Sequence, residues 1–122
     1  MTDYKLGVVE TRFAEIVWNN APMSSGDLVK LCAKELEWKK STTYTVLRKL
    51  SDHGFFSNEG SIVRVLITRD EYYAAQSRQF VEETFEGSLP AFISAFSSGR
   101  RLTDRDVAEI RSLLDDWESS RQ

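Results

Sequence analysis

The stretch that decides the fold is STTYTVLRKLSDHG, residues 41–54. At about 100° per residue it predicts a helix with one apolar side and one polar, basic side. The apolar side holds Thr43, Val46, Leu47 and Leu50, and the polar side holds Ser41, Thr42, Thr45, Arg48, Lys49 and Asp52. Small hydroxyl groups allow close approach to a DNA major groove, while long cations reach phosphates and the acceptor edge of guanine. The same pattern also fits an ordinary amphipathic helix with a solvated charged face.

The residues on either side of this stretch favour a winged helix-turn-helix. After Gly54, two β-prone runs flank a polar turn over residues 58–61, which predicts a hairpin. Upstream, apolar residues at helical spacing predict helices over residues 10–20 and 26–36. A basic-faced helix followed directly by a hairpin is the element order of that fold, with the hairpin as the wing. Arg64 is the one cation of the predicted hairpin, where it can touch the DNA backbone.

The second half of the chain predicts three helices. Thr68 and Glu71 form a capping-box pattern, so the first helix should begin near residue 69 and run to about Glu86, where Gly87 stops it. A second helix begins near Leu89, and a break over residues 97–101 separates it from a last helix that begins at Thr103. Their apolar stripes contain Tyr73, Phe80, Val81, Phe85, Leu89, Phe92, Ile93, Phe96, Val107, Ile110, Leu114 and Trp117.

Those stripes predict self-association, because a long helix that leaves a compact winged helix has little else to pack on. The alternative is that the stripes pack back onto the N-terminal core of the same chain. The expected fold is therefore mainly α with a small β-hairpin. We predict a winged helix-turn-helix DNA-binding domain over residues 1–70 and a helical dimerisation region over residues 71–122.

The distribution of charge is more informative than its total of −3. Residues 1–72 hold ten Lys or Arg and ten Asp or Glu, whereas residues 73–122 hold six and nine. Between Trp38 and Leu50 there are four cations and no acids. Basic charge is thus local, and the acidic remainder should weaken non-specific DNA binding. A near-neutral DNA-binding half predicts modest affinity per protomer, which favours a dimer.

Several classes of function are disfavoured by composition. No apolar run approaches the 18 or more residues of a membrane span, and the N-terminus lacks a signal-peptide pattern, so we expect a soluble cytoplasmic protein. With a single cysteine, Cys32, and a single histidine, His53, neither a disulfide framework nor a zinc or copper set is expected. Asp115, Asp116 and Glu118 suit a solvated helix end better than a catalytic pair. We expect no metal, no other cofactor and no enzymatic activity.

Three segments, in order, carry a resemblance to a known family. They are ETRFAEIVW at residues 10–18, STTYTVLRKL at residues 41–50 with Gly54 behind it, and LITRDEY at residues 66–72. They are similar to the first helix, the recognition helix and the wing exit of the penicillinase-repressor family of bacterial transcription factors, the BlaI/MecI/CopY type. The C-terminus lacks the paired Cys-x-Cys motifs of the copper-sensing members, which disfavours a copper response.

The resemblance implies a homodimeric repressor that binds double-stranded operator DNA with dyad symmetry. Together with the polar face, it predicts DNA contacts from Lys39, Lys40, Ser41, Thr42, Tyr44, Thr45, Arg48, Lys49 and Arg64. Two alternatives stay open: a winged-helix regulator of another family that senses a small molecule, and a protein-protein module that never meets DNA. The local excess of cations argues against the second.

The resemblance also implies a route of inactivation. Family members are cut by a membrane sensor metalloprotease before a phenylalanine in the dimerising half, and the aligned pair here is Ala95 and Phe96. Ala95 stands where the better-known members carry a polar asparagine. The alternative interpretation is that Phe96 is simply a core residue.

Overall fold

The structure is a computed structural model that describes residues 4–121. Its elements are α1 (Val8–Asn20), β1 (Met23–Ser24), α2 (Ser25–Leu36), α3 (Lys40–Asp52), β2 (Phe56–Glu59), β3 (Ile62–Val65), α4 (Arg69–Phe85), α5 (Leu89–Gly99) and α6 (Asp104–Arg121). The predicted class, mainly α with a small β-hairpin, is confirmed. The chain divides into two compact units, the first ending at Gln79 and the second beginning at Phe80.

The wing is a β2–β3 hairpin with a third short strand beside it. The antiparallel sheet has the order β1-β3-β2, and Asn58 and Met23 both pair with Val63 from opposite sides. The turn is shorter than predicted, because Gly60 and Ser61 both adopt positive φ, as a two-residue hairpin turn requires. Strand β1 has only two residues and was not predicted, since no alternating pattern can be read over so short a length.

One hydrophobic core holds α1, α2, α3 and the sheet together. Among residues 4–121 the buried apolar side chains are Leu6, Phe13, Ala14, Ile16, Val17, Leu28, Cys32, Leu47, Leu50, Phe55, Phe56, Val63 and Tyr72. Burial raises the pKa of the Cys32 thiol, which suits a packing residue rather than a nucleophile. Thr43 is fully buried on the same side of α3, and its hydroxyl donates to the Lys39 carbonyl at 3.4 Å.

The turn between α2 and α3 is set by local backbone geometry. Glu37 caps α2 in the left-handed region at φ 58°, and the Trp38 N–H donates to the Cys32 carbonyl at 3.3 Å. The Trp38 ring stacks on Phe13 with centroids 5.7 Å apart, which ties the turn to α1. Helix α3 begins at Lys40, one residue before the predicted Ser41.

The first turns of α4 are anchored on α1. The predicted capping box is present, with the Thr68 N–H donating to Glu71 and the Glu71 N–H donating to the Thr68 hydroxyl. The Arg69 guanidinium donates to Glu15 and Asn19 on α1. These contacts hold the start of α4 against α1 within the first unit, and the predicted domain boundary at residue 70 stays a prediction.

Two tyrosines continue this attachment along α4. The buried Tyr72 hydroxyl accepts the Leu6 N–H at 2.8 Å. Tyr73 packs against Trp18, with centroids 6.2 Å apart, and donates to Glu15 at 3.3 Å. Tyr73 therefore has partners in the first unit, and its predicted part in dimerisation stays a prediction.

The second unit is built from the end of α4 and the helices α5 and α6. Edge-to-face ring contacts join Phe80, Phe85 and Phe92 at centroid distances of 5.6 to 5.9 Å. The predicted break at residues 97–101 is partly wrong, since α5 continues to Gly99. The serine hydroxyls that suggested a break bond within the helix instead, Ser97 to the Ile93 carbonyl and Ser98 to the Ala95 carbonyl, both at 2.9 Å. Thr103 and Asp106 cap α6 reciprocally, as predicted.

Candidate nucleic-acid interface

The polar side of α3 forms a continuous exposed surface. The core holds the other side of the helix through Thr43, Leu47 and Leu50, so the remaining positions must face outward. The exposed residues of this surface are Lys39, Lys40, Ser41, Thr42, Thr45, Arg48, Lys49 and Asp52. Tyr44 is half-buried, and its hydroxyl donates to Ser25 Oγ on α2 at 3.1 Å. Tyr44 therefore links the two helices of the motif as well as reaching the surface.

A groove of about 560 Å³ runs beside this surface. Its lining residues are Tyr44, Thr45, Leu47, Arg48, Ser51, Asp52 and Asn58. Asn58 comes from β2, so the groove joins the recognition-helix candidate to the wing. Sequence reasoning assigned Asn58 to a turn and gave it no role. Its position beside α3 follows from the hairpin register, which the sequence did not define.

Arg48 is the cation best placed to act at this groove. It is exposed, it lines the groove, and no hydrogen bond or ion pair joins its side chain to another residue in the range 4–121. Within the described range, the side chains of Lys39 and Lys40 at the start of α3, and of Arg64 on β3, likewise have no hydrogen-bond or ion-pair partner. These four side chains keep their donors available for acceptors outside the protein.

Lys49 differs from its neighbour Arg48. Its ammonium lies 3.1 Å from the Glu10 carboxylate on α1 and 5.7 Å from the centre of the Tyr4 ring. Hydrogen bonding with Tyr4 and the ion pair with Glu10 raise the pKa of Lys49. A helical wheel places Lys49 on the polar side of the helix with Arg48 but cannot show that Glu10 of α1 lies within reach of it. Sequence reasoning therefore missed this contact.

Glu10 is held by several donors. Burial raises the pKa of Glu10, but hydrogen bonds from the Gly7 N–H, Tyr4 and Lys49, together with the charge of Lys49, outweigh this and lower it. The Gly7 N–H donates at 3.0 Å, and the Tyr4 hydroxyl lies 2.9 Å from both carboxylate oxygens. The Tyr4 ring in turn stacks on His53 at 3.9 Å. The segment before α1 is thus fastened to the end of α3.

A second candidate surface lies on the second unit. None of the side chains of residues 80–121 is buried, although many of them are large and apolar. On α6, Leu113, Leu114 and Trp117 are 68%, 55% and 57% exposed. Between α5 and α6 an apolar groove of about 380 Å³ is lined by Phe92, Ile93, Phe96, Arg100, Leu102, Asp106, Glu109, Ile110 and Leu113.

Within residues 4–121, no three acidic, histidine or cysteine side chains are grouped so that they could hold a metal ion. In the same range, no helix combines the length and apolarity that crossing a membrane requires.

The fold and the α3 surface define a winged helix-turn-helix protein with an appended helical region. The sequence profile of the penicillinase repressor family matches residues 6–116, and the chain belongs to that family. The family consists of regulatory repressors rather than enzymes. The resemblance inferred from the three motifs is thereby confirmed.

Two curated proteins are similar to the chain along nearly their whole length. The penicillinase repressor of Bacillus licheniformis is 20% identical over 117 residues, which cover 93% of this chain and 91% of that protein. The methicillin resistance regulatory protein MecI of Staphylococcus aureus strain Mu50 is 19% identical over 115 residues, which cover 91% and 94%.

Proposed function

We propose that the chain is a transcriptional repressor that binds a dyad-symmetric operator as a homodimer in the bacterial cytoplasm. The observation that carries this proposal is the exposed side of α3, where Arg48 has no partner among the described residues and lines a groove shared with the wing. Each protomer would place α3 in a major groove, with half-sites about one helical turn, roughly 34 Å, apart.

The side chains on this surface suit different parts of DNA. Arg48 has the planar fork that pairs with the O6 and N7 acceptors of guanine. Thr42 and Thr45 are short enough to pack against bases or phosphates. At the margins, Lys39, Lys40 and Arg64 fit phosphate contacts, which position a protein without reading sequence. Ser41, Tyr44 and Lys49 complete the set of proposed DNA contacts.

The exposed apolar side chains of the second unit support dimerisation. A single chain leaves Leu113, Leu114 and Trp117 more than half exposed on one helix, an arrangement typical of an interaction surface. A second copy is the simplest occupant, because a two-fold interface brings the same patch of both protomers together. The proposed interface consists of Phe80, Val81, Phe85, Leu89, Phe92, Ile93, Phe96, Val107, Ile110, Leu114 and Trp117. Tyr73, in the first unit, is also proposed to take part in dimerisation.

Binding to DNA from upstream of the protein's own operon tests the proposal. We expect a specific complex whose affinity falls steeply with salt, since each neutralised phosphate contributes about 0.9 to the slope of log K against log salt. A fluorescently labelled duplex titrated at several salt concentrations measures both quantities, and a scrambled duplex of equal length is the control. Equal affinity for both duplexes, or no binding to either, would contradict the proposal.

The same proposal includes release by proteolysis between Ala95 and Phe96, by a membrane sensor metalloprotease. Both residues are exposed, so Phe96 is not buried in a core of the single chain. The bond lies near the end of α5, where the last helical turn opens at low cost. A cut there would separate α6 from the rest of the chain and remove Leu114 and Trp117 from the proposed interface.

Co-expression with the cognate activated protease tests this route. We expect mass spectrometry to find two fragments that meet between residues 95 and 96. Replacing Phe96 with Ala should reduce cleavage strongly, whereas Phe80→Ala, which changes an equally exposed aromatic residue elsewhere in the unit, should leave the cut intact. Intact repressor beside a derepressed promoter would point to a bound effector instead.

A further inference from the structure

We infer that Glu10 competes with DNA phosphate for the ammonium group of Lys49 and thereby lowers the affinity of the repressor for DNA. The inference rests on the DNA binding proposed above and assigns a positioning role to a residue outside the DNA-contacting helix. Glu10 lies on α1, and its carboxylate is 3.1 Å from Lys49 Nζ on α3.

Glu10 is the fixed partner of this ion pair. Its side chain is only 16% exposed, and it accepts hydrogen bonds from the Gly7 N–H and the Tyr4 hydroxyl. It also lies in the first turn of α1, where the helix dipole favours a negative charge. The carboxylate would therefore keep two donors and a favourable field if Lys49 departed.

Lys49 is the mobile partner. Its side chain is 54% exposed and ends a flexible four-carbon stem. It directly follows Arg48, the residue proposed to enter the major groove, so its stem starts at the margin of the DNA-facing surface. From there the ammonium can turn toward a phosphate of the flanking backbone while Arg48 reaches the bases.

Because Lys49 must leave Glu10 before it can bind a phosphate, it contributes less to DNA binding than its position suggests. The phosphate takes the place of the Glu10 carboxylate, so the net gain in binding free energy is smaller than for a lysine without an ion pair in the described residues, such as Lys40. Salt also screens the attraction between Lys49 and Glu10. The competition from Glu10 is therefore strongest at low ionic strength. Glu10 should thus reduce both the affinity for DNA and its dependence on salt.

Replacing Glu10 with Gln in the full-length protein tests this inference. Gln still accepts the Gly7 N–H in the capping position, so α1 should keep its start. We expect binding of an operator duplex to tighten about two- to fivefold at low salt, the range of an exposed ion pair. The slope of log K against log salt should become steeper by up to about 0.9.

The matched control is Glu71→Gln. Glu71 occupies the same capping position at the start of α4 and accepts the Thr68 N–H, yet no cation is paired with it in the described residues. The Glu71→Gln substitution removes one negative charge from the chain, as Glu10→Gln does. The control should leave affinity and salt slope at wild-type values, which separates release of Lys49 from a change in net charge.

A double-mutant cycle decides whether Glu10 acts through Lys49. In a Lys49→Met background, Glu10→Gln should have no further effect on affinity. An equal gain with and without Lys49, or an unchanged salt slope in Glu10→Gln, would overturn the inference. If Glu10→Gln did not fold, Lys49→Met alone would decide, because an unchanged slope would mean that Lys49 never leaves Glu10. Failure of the proposed function would look different, since the wild type itself would not bind DNA.

Discussion

A chain that ends after Gln79 is expected to be monomeric and to bind an operator about 10²- to 10⁴-fold more weakly than the whole protein. Every residue buried in the structure's described range lies at or before Tyr72, so this fragment should keep its core and fold. It loses the proposed interface, and with it the linkage of two half-sites that makes the second binding event intramolecular. Sedimentation of both proteins and titration of one operator duplex measure the two effects.

Point variants on α6 test the same expectation in the full-length chain. Leu114→Glu places a charge in the proposed interface and should weaken both dimerisation and DNA binding. Ser112→Glu adds the same charge at an exposed polar position of the helix and should change neither substantially. A wild-type chain that sediments as a monomer at micromolar concentration, or a Gln79 fragment that dimerises, would contradict the assignment of dimerisation to the second unit.

Replacing Arg48 with Ala should weaken specific binding by about 1–3 kcal/mol, the contribution of a bidentate contact to guanine. This corresponds to roughly 5- to 150-fold in affinity, since about 1.4 kcal/mol is tenfold. The loss should be concentrated on the correct operator, so discrimination against a duplex with one altered base pair per half-site should fall as well. Fluorescence anisotropy with both duplexes measures the ratio.

Arg105→Ala is the matched control for Arg48. It removes the same side chain from α6, where Arg105 is paired with Glu109 on the surface of the second unit. Binding should stay close to the wild-type value. A folded, dimeric Arg48→Ala/Lys49→Ala double variant that bound the operator as wild type does would show that the recognition surface lies elsewhere.

The elements that sequence predicts well are those defined by local patterns. The amphipathic stretch at residues 41–54 predicted α3 because its apolar side had to be buried, and Leu47 and Leu50 are indeed in the core. The capping boxes at Thr68 and Thr103 marked helix starts because the side-chain and backbone groups that bond are only three residues apart. Such signals need no knowledge of distant contacts.

The features that sequence missed depend on contacts between distant parts of the chain. The ion pair of Lys49 with Glu10 joins α3 to α1, and the pairing of Met23 with Val63 joins β1 to the hairpin. In the same way, the hydrogen bond from Arg69 to Glu15 joins the start of α4 to α1. Nothing in the spacing of these residues encodes the packing of two helices. The DNA contacts themselves stay predictions, because they need a second molecule.

The lack of buried residues between positions 80 and 121 has a consequence for the life of the protein in a cell. If burial there comes only from a second copy, the second unit folds by mass action, and its stability depends on how many copies surround it. At low concentration the monomer would expose the helices of the second unit to general proteases, whereas at high concentration dimerisation would bury them. Turnover would then respond to abundance, and small changes in synthesis would be amplified in the amount of repressor on the promoter.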